Sequence, residues 1–203
     1  MSAHMVVQPV TLSGPRVDLV PLTLIHTEDL LAAASHGEVW TYLDEPTPAT
    51  RESIRALILE AIDEQTSGQR LPFAVVLRES GRAIGSMSYI DIQPRHRALE
   101  LGWAWIAPQF WQTGIGREAS YLLLRHAFER LDAVRVTLKT DARNIRSQKA
   151  IAGLGAVREG VFRRHRILRD GHQRDSVFYS LIREDWDSVR AGLAAQVGMD
   201  WRS

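Results

Sequence analysis

Between Phe110 and Ala119 the chain reads FWQTGIGREA, a short glycine loop that runs directly into an amphipathic helical pattern. Gly114 and Gly116 carry no Cβ, so the main chain there can curl and a ligand can approach it closely. The first N–H groups of a helix have no intrahelical acceptor, and the helix dipole adds positive potential beside them. Backbone amides of Thr113, Gly114, Ile115, Gly116 and Arg117 therefore favour a bound phosphate. An ordinary loop with a glycine-eased helix entry would read the same way locally. Gly114-Ile115-Gly116-Arg117-Glu118-Ala119 also fits the dinucleotide fingerprint, with Asp141 near the place of a ribose-binding acid. That fingerprint needs its first glycine directly after a parallel strand. Here Ala107 to Thr113 intervene, with a proline and two bulky aromatics, and the strands upstream look hairpin-linked. A dinucleotide-dependent oxidoreductase is set aside on that ground.

The elements that must position this loop follow from length and periodicity. At 203 residues and 45% hydrophobic, the chain suits one domain with a sizeable core. The expected boundaries are a flexible tail over residues 1–10, one domain over 11–197 and a C-terminal tail over 198–203. No apolar run approaches the ~20 residues of a membrane span, no secretory signal pattern is seen, and there is no cysteine. A cytoplasmic protein without disulfides or membrane partners is expected. The formal charge of +1 is unevenly placed: residues 1–100 hold 8 basic and 13 acidic side chains, and residues 101–203 hold 17 and 11. This asymmetry points to an anionic ligand for the second half. The arginines are scattered over several elements, which argues against a nucleic-acid partner.

A first strand is expected from Arg16 to Leu22, then helices from about Thr27 to Ser35 and Thr50 to Thr66, with Thr27 and Thr50 as N-caps. Between the helices, the aromatics of Trp40 to Pro48 are either core plugs or a substrate wall. Strand-like runs follow at Leu71 to Arg78, Ala83 to Ile90 and Ala98 to Ile106. On the last of these, alternation puts Glu100, Gly102 and Ala104 on one face and Leu101, Trp103 and Trp105 on the other. A helix from about Gly114 to Leu131 sets Ala119, Leu122, Leu123, Ala127 and Leu131 against a sheet, with Glu118, Arg125, Glu129 and Asp132 outward. A strand over Val134 to Thr140, with Val134, Val136 and Leu138 inward, precedes a helix from about Asn144 to Leu154. Two strands follow, about Ala156 to His165 and Arg174 to Leu181, and a helix from about Glu184 to Gln196 closes the chain. The order β-α-α-β-β-β-α-β-α-β-β-α defines an α/β (α+β) domain with helices packed on a mixed sheet. The seven histidines lack metal-ligand spacing, so no metal is expected.

These segments resemble the GNAT superfamily of acetyl-CoA-dependent N-acetyltransferases. Trp111-Gln112-Thr113-Gly114-Ile115-Gly116 stands where that family carries Q/R-x-x-G-x-G/A, between the fourth strand and the third helix. Trp111 at the first position is similar to the ribosomal-protein N-acetyltransferase (RimJ/RimL-like) branch. So are Asn144-Ile145-Arg146-Ser147, the run from Gly153 to Gly160, and Leu168-Arg169-Asp170-Gly171 followed by Asp175 and Tyr179. The resemblance covers residues 14 to 190. It implies a mostly antiparallel twisted sheet of about seven strands, splayed between strands four and five.

The resemblance also implies acetyl-CoA as acetyl donor, a primary amine acceptor (a protein N-terminus or a small molecule), no metal, and a possible homodimer. The pantetheine arm would use the main chain near Trp105 and Ile106. Gln112 to Arg117 would hold the pyrophosphate, with Arg117, Arg146 and Lys149 as candidate outer phosphate contacts or else solvated surface charges. Asn144 would cap its helix and bond the arm. Glu100 is the candidate base, or else a structural carboxylate. The family's thiolate-protonating tyrosine falls at Ile151, which has no proton to give. Ser147 is the nearest hydroxyl, as acid or as helix cap. Arg166 stands where the ribosomal branch carries a glutamate base, and His165 is either an acceptor border or part of a solvated strand. A competing reading is a non-catalytic CoA-binding domain.

Overall fold

Neighbouring parallel strands need a crossover between them, usually a helix, and this chain makes one such connection. A computed structural model describes residues 5–200. Its elements are β1 (Leu12–Ser13), β2 (Val17–Pro21), α1 (Thr27–Ala34), α2 (Gly37–Trp40), α3 (Arg51–Thr66), β3 (Arg70–Leu77), β4 (Ala83–Gln93) and β5 (Ala98–Ile106). After them come α4 (Ile115–Glu129), β6 (Arg135–Asp141), α5 (Ile145–Ala152), β7 (Val157–Ile167), β8 (Gln173–Ile182) and α6 (Arg183–Gln196). The eight strands form one sheet in the order β1-β2-β3-β4-β5-β6-β8-β7. Every junction is antiparallel except β5–β6, which α4 bridges. The eighth strand is the two-residue β1, so the strands expected as four and five are β5 and β6.

Two cores cover the two faces. On one, Leu99, Leu101, Val136 and Leu138 pack against α4 and α6, where Trp186 stacks on Phe128 at 5.5 Å. On the other, Trp40, Ile54 and Ile58 from α2 and α3 pack against Ala74 and Trp105. Thr50 caps α3, its hydroxyl accepting the Ser53 N–H at 3.2 Å. Thr27 does not cap α1. It is the first helical residue, preceded by His26, and its hydroxyl donates to the Leu24 carbonyl at 2.6 Å.

Three expectations about faces are corrected. The alternation along β5 breaks at Trp103, where φ is +48°. Ser86 faces Trp105 and Ser88 faces Gly102, so Met87 opposes both Trp103 and Ala104 in a β-bulge. Leu101 therefore packs toward α4, and Trp105 lies on the opposite face against Trp40, ring centroids 5.3 Å apart. Glu118 is fully buried, not outward, because β1, β2 and α6 close around α4. Val134, expected inward, is exposed. Met5 is buried, with its N–H on the Pro94 carbonyl, and Met199 packs against the core. Residues 1–4 and 201–203 of the expected tails lie outside the described residues.

Candidate active site

The parallel junction pairs at only three rungs: Ala98 with Arg135, Leu99 with Val136, and Glu100 with Thr137. Beyond Glu100 the strands no longer pair, and a cleft of about 930 Å³ lies between them. That is within the range of small-molecule and cofactor sites. Glu100, Gly102, Ala104, Trp105 and Ile106 line it from β5, and Leu138, Lys139 and Thr140 from β6. Both helices that follow these strands, α4 and α5, begin at its mouth. Gln112, Gly114, Gly116 and Arg117 contribute from the loop and first turn of α4, and Asn144, Arg146, Ser147 and Lys149 from α5. The sheet opening and the glycine loop thus share one space.

The loop is held in an unusual backbone path. Gln112 and Gly114 both lie at positive φ, +62° and +87°, and at the α4 start the Ile115 N–H meets the Thr113 hydroxyl at 3.4 Å. Of the expected cradle residues, Thr113 and Ile115 turn their side chains away from the cleft. The Thr113 hydroxyl donates to the Phe110 carbonyl at 2.8 Å, and Ile115 sits in the core. Trp111 donates its indole N–H to the Ile106 carbonyl at 2.8 Å, while the Arg146 guanidinium lies over its ring at 3.2 Å. A loop residue thus already occupies part of the Ile106 main-chain acceptor expected to serve the pantetheine arm.

Sequence reasoning missed the brace behind this loop. Arg16 donates from Nη1 to the Thr113 carbonyl at 2.9 Å and from Nε to Glu118 Oε2 at 2.8 Å. Glu118 Oε1 also accepts the Arg16 and Val17 backbone N–H groups, at 2.8 and 3.0 Å. A Cβ at Gly114 would approach Arg16 Nη2 to 3.1 Å. Gly114→Ala combines that contact with left-handed strain of about 1–2 kcal/mol. It is expected to lower the thermal midpoint by a few degrees and to weaken acetyl-CoA binding, read by calorimetry on the same preparation.

Asn144 takes up the capping duty that Ser147 had been considered for. The Asn144 side-chain oxygen accepts the Ser147 N–H at 3.0 Å. The Ser147 hydroxyl makes no hydrogen bond among the described residues and faces the cleft. Glu100 is only 4% exposed and accepts from Lys139 Nζ, so it holds a structural ion pair and lines the cleft at once. Burial pushes its carboxyl above the ordinary glutamate range, with Asp91 adding repulsion and Lys139 and Arg166 pulling back. Ile151 is buried at the tyrosine position. Glu159, inside a segment that carried the resemblance, is structural. Arg135 grips it at 2.6 Å and Ser180 donates to it, which holds its carboxyl down at about 2.

The aromatics of the Trp40–Pro48 segment divide between both readings, since Trp40 is core and Tyr42 lines the cleft. Arg166 and Arg174 line it as well, whereas His165 does not; its Nδ1 lies 3.0 Å from the Ser176 hydroxyl.

Among the described residues, the sheet parts at its one parallel junction beside a helix-opening glycine loop, an arrangement that can take a phosphate-bearing ligand. The chain belongs to the GNAT family: the sequence model described as acetyltransferase (GNAT) domain matches residues 16–157. A T. thermophilus protein provisionally assigned as an acetyltransferase is 41% identical, covering 95% of this chain and 100% of its own, with a TM-score of 0.86. A GCN5-related N-acetyltransferase from Brucella melitensis is 26% identical over 96% of this chain and 88% of its own, TM-score 0.89. YdaF of Bacillus subtilis (strain 168), provisionally named a ribosomal N-acetyltransferase, is 31% identical over 110 residues, 54% of this chain and 59% of its own. The chain is accordingly an acetyl-CoA-dependent acetyltransferase. Among the described residues no helix is long and apolar enough to cross a membrane.

Proposed function

We propose that the chain transfers the acetyl group of acetyl-CoA directly to a primary amine, within a ternary complex. One observation carries this reading: the buried Glu100 carboxylate and the unengaged Ser147 hydroxyl line the same cleft, at the point where the sheet parts. The amine nitrogen attacks the thioester carbonyl, the C–S bond breaks, and the sulfur leaves as a thiolate. Two proton movements accompany this. Glu100 takes the proton released by the amine, directly or through water, and Ser147 passes a proton to the thiolate while regaining one from solvent.

The acceptor class follows from the cost of exposing a lone pair. Neutralising an α-amine of pKa near 8 at pH 7 costs about 1.4 kcal/mol, and a lysine amine near 10.4 costs roughly 4.6. A single buried carboxylate serves the first far better than the second. An α-amine, on a protein N-terminus or a small molecule, is therefore the acceptor. The ribosomal acceptor in the name of YdaF supports the protein N-terminus. We assign the protein to the cytoplasm.

The test is thiol release from acetyl-CoA against a panel of α-amines and lysine-type amines, with calorimetric titration of acetyl-CoA alongside. Acceptor-dependent release favouring α-amines is expected. Tight acetyl-CoA binding with no acceptor-dependent release would favour a CoA-binding module instead. Ser147→Ala is expected to lower kcat by roughly 10²-fold, as loss of a general acid does, while the acetyl-CoA dissociation constant stays nearly unchanged. Unaltered turnover would remove Ser147 from the mechanism.

A further inference from the structure

The wall of the cleft formed by the closing hairpin carries cations that the transfer reaction itself does not use. Arg166 on β7 and Arg174 on β8 face each other across one rung of the closing hairpin, and both line the cleft. The Arg174 Nε is buried without a hydrogen-bond partner, and its Nη1 reaches only the Tyr42 carbonyl, at 3.4 Å. Arg166 forms no ion pair among the described residues.

The carboxylates around this pair are engaged elsewhere. Glu100 holds Lys139. Asp141 accepts three bonds from Arg143, at 2.8, 3.0 and 2.8 Å. Asp175 accepts the Arg164 N–H at 2.7 Å, and Asp44 accepts the Arg169 N–H at 2.8 Å. Asp141 and Glu100 attract Arg174, and Glu100 attracts Arg166, yet neither guanidinium forms a direct ion pair with a carboxylate among the described residues. A buried guanidinium N–H with no acceptor is costly in free energy, and a carboxylate is the group its planar fork fits.

We infer that the amine acceptor carries a carboxylate close to its nucleophilic nitrogen and that Arg174, with Arg166 across the hairpin rung, receives it. The inference rests on the proposed amine acetylation and narrows its acceptor to anionic α-amines. Free α-amino acids and peptide N-termini with an acidic residue at the first or second position both present this chemistry. A polyamine meets two like charges instead.

Matched pairs test it with the full-length protein and acetyl-CoA. One arm compares alanine with alaninamide, each kcat/KM taken per free-base amine because the adjacent carboxylate raises the amine pKa of alanine. A second compares N-terminal tetrapeptides bearing Asp or Asn at position two, and spermidine serves as the cationic control. We expect kcat/KM for the carboxylate-bearing member to exceed its neutral partner by ~10-fold or more in at least one arm, which also tells the two sources apart. Arg174→Gln should collapse that ratio toward one, mainly through acceptor KM, with the acetyl-CoA KM little altered. Equal or better rates for the neutral members in both arms, or for spermidine, overturn the inference while leaving amine acetylation standing. A ratio that survives Arg174→Gln overturns it as well. No acceptor-dependent thiol release from any amine overturns both readings together.

Discussion

Replacing Glu118 with alanine is expected to lower the free energy of unfolding by about 2–6 kcal/mol, the cost of stranding two backbone donors. Glu118 is fully buried and accepts from the Arg16 N–H, the Val17 N–H and Arg16 Nε. The alanine variant leaves two backbone donors without acceptors, each about 1–3 kcal/mol when buried. The ion pair itself adds little, because the Arg16 side chain is 44% exposed and water screens it. Glu118→Gln keeps an oxygen for the backbone donors and should cost ~1 kcal/mol. Urea unfolding followed by tryptophan fluorescence separates the two variants, and near-equal midpoints would show that the backbone bonds are not the dominant contribution. Because Arg16 also holds the Thr113 carbonyl, the alanine variant should lose acetyl-CoA affinity under conditions where it remains folded.

That brace also marks where local sequence stops informing. Periodicity locates β5 to the residue, and α3 within one residue, because an alternating strand and a capped helix are local patterns. The burial of Glu118 depends on β2, about a hundred residues earlier, closing over the α4 start, and no helical wheel contains that contact. β1 is legible only from its partner, since two residues carry no period of their own.

Bulges hide side-chain direction in the same way. A strand's period of two makes every face assignment beyond a bulge depend on the bulge. The one at Trp103 separates Leu101 from Trp105. A second irregularity in β7 lies between Phe162 and Arg166, with Arg164 at φ +50°, and it resets which residues face β8. Arg166 could be noted in the sequence as a departure from a glutamate, but its register with Arg174 could not. The glycine loop was legible because Gly114 must adopt φ +87°, a conformation that residue type itself announces. Asn144 and Ser147 were legible as a pair only through the family resemblance, since the cap uses the Ser147 backbone N–H, which any residue supplies.

Glu100→Gln is expected to lower kcat by roughly 10²- to 10⁴-fold, the usual contribution of a positioned general base. The amide keeps the shape of the carboxyl and can still accept from Lys139, so the fold and the sheet opening persist. Proton acceptance is removed together with the charge facing Lys139, so the variant is less stable near neutral pH than its shape alone would suggest. The pH dependence gives the sharper test. Glu100 acts as an anion, so wild-type kcat falls as pH drops through its pKa, and burial places that acidic limb above the usual 4.5 for a glutamate. In Glu100→Gln the limb disappears. Stability moves with the opposite sign. A carboxyl whose folded pKa is raised contributes fully below its unfolded value, and that contribution fades as pH rises through the folded value. Wild type should therefore lose stability relative to Glu100→Gln as pH climbs from about 4.5 toward neutrality. A base that merely held Lys139 in place would show the stability trend without the kinetic one. If kcat retained its wild-type acidic limb in the glutamine variant, proton acceptance would belong to another group.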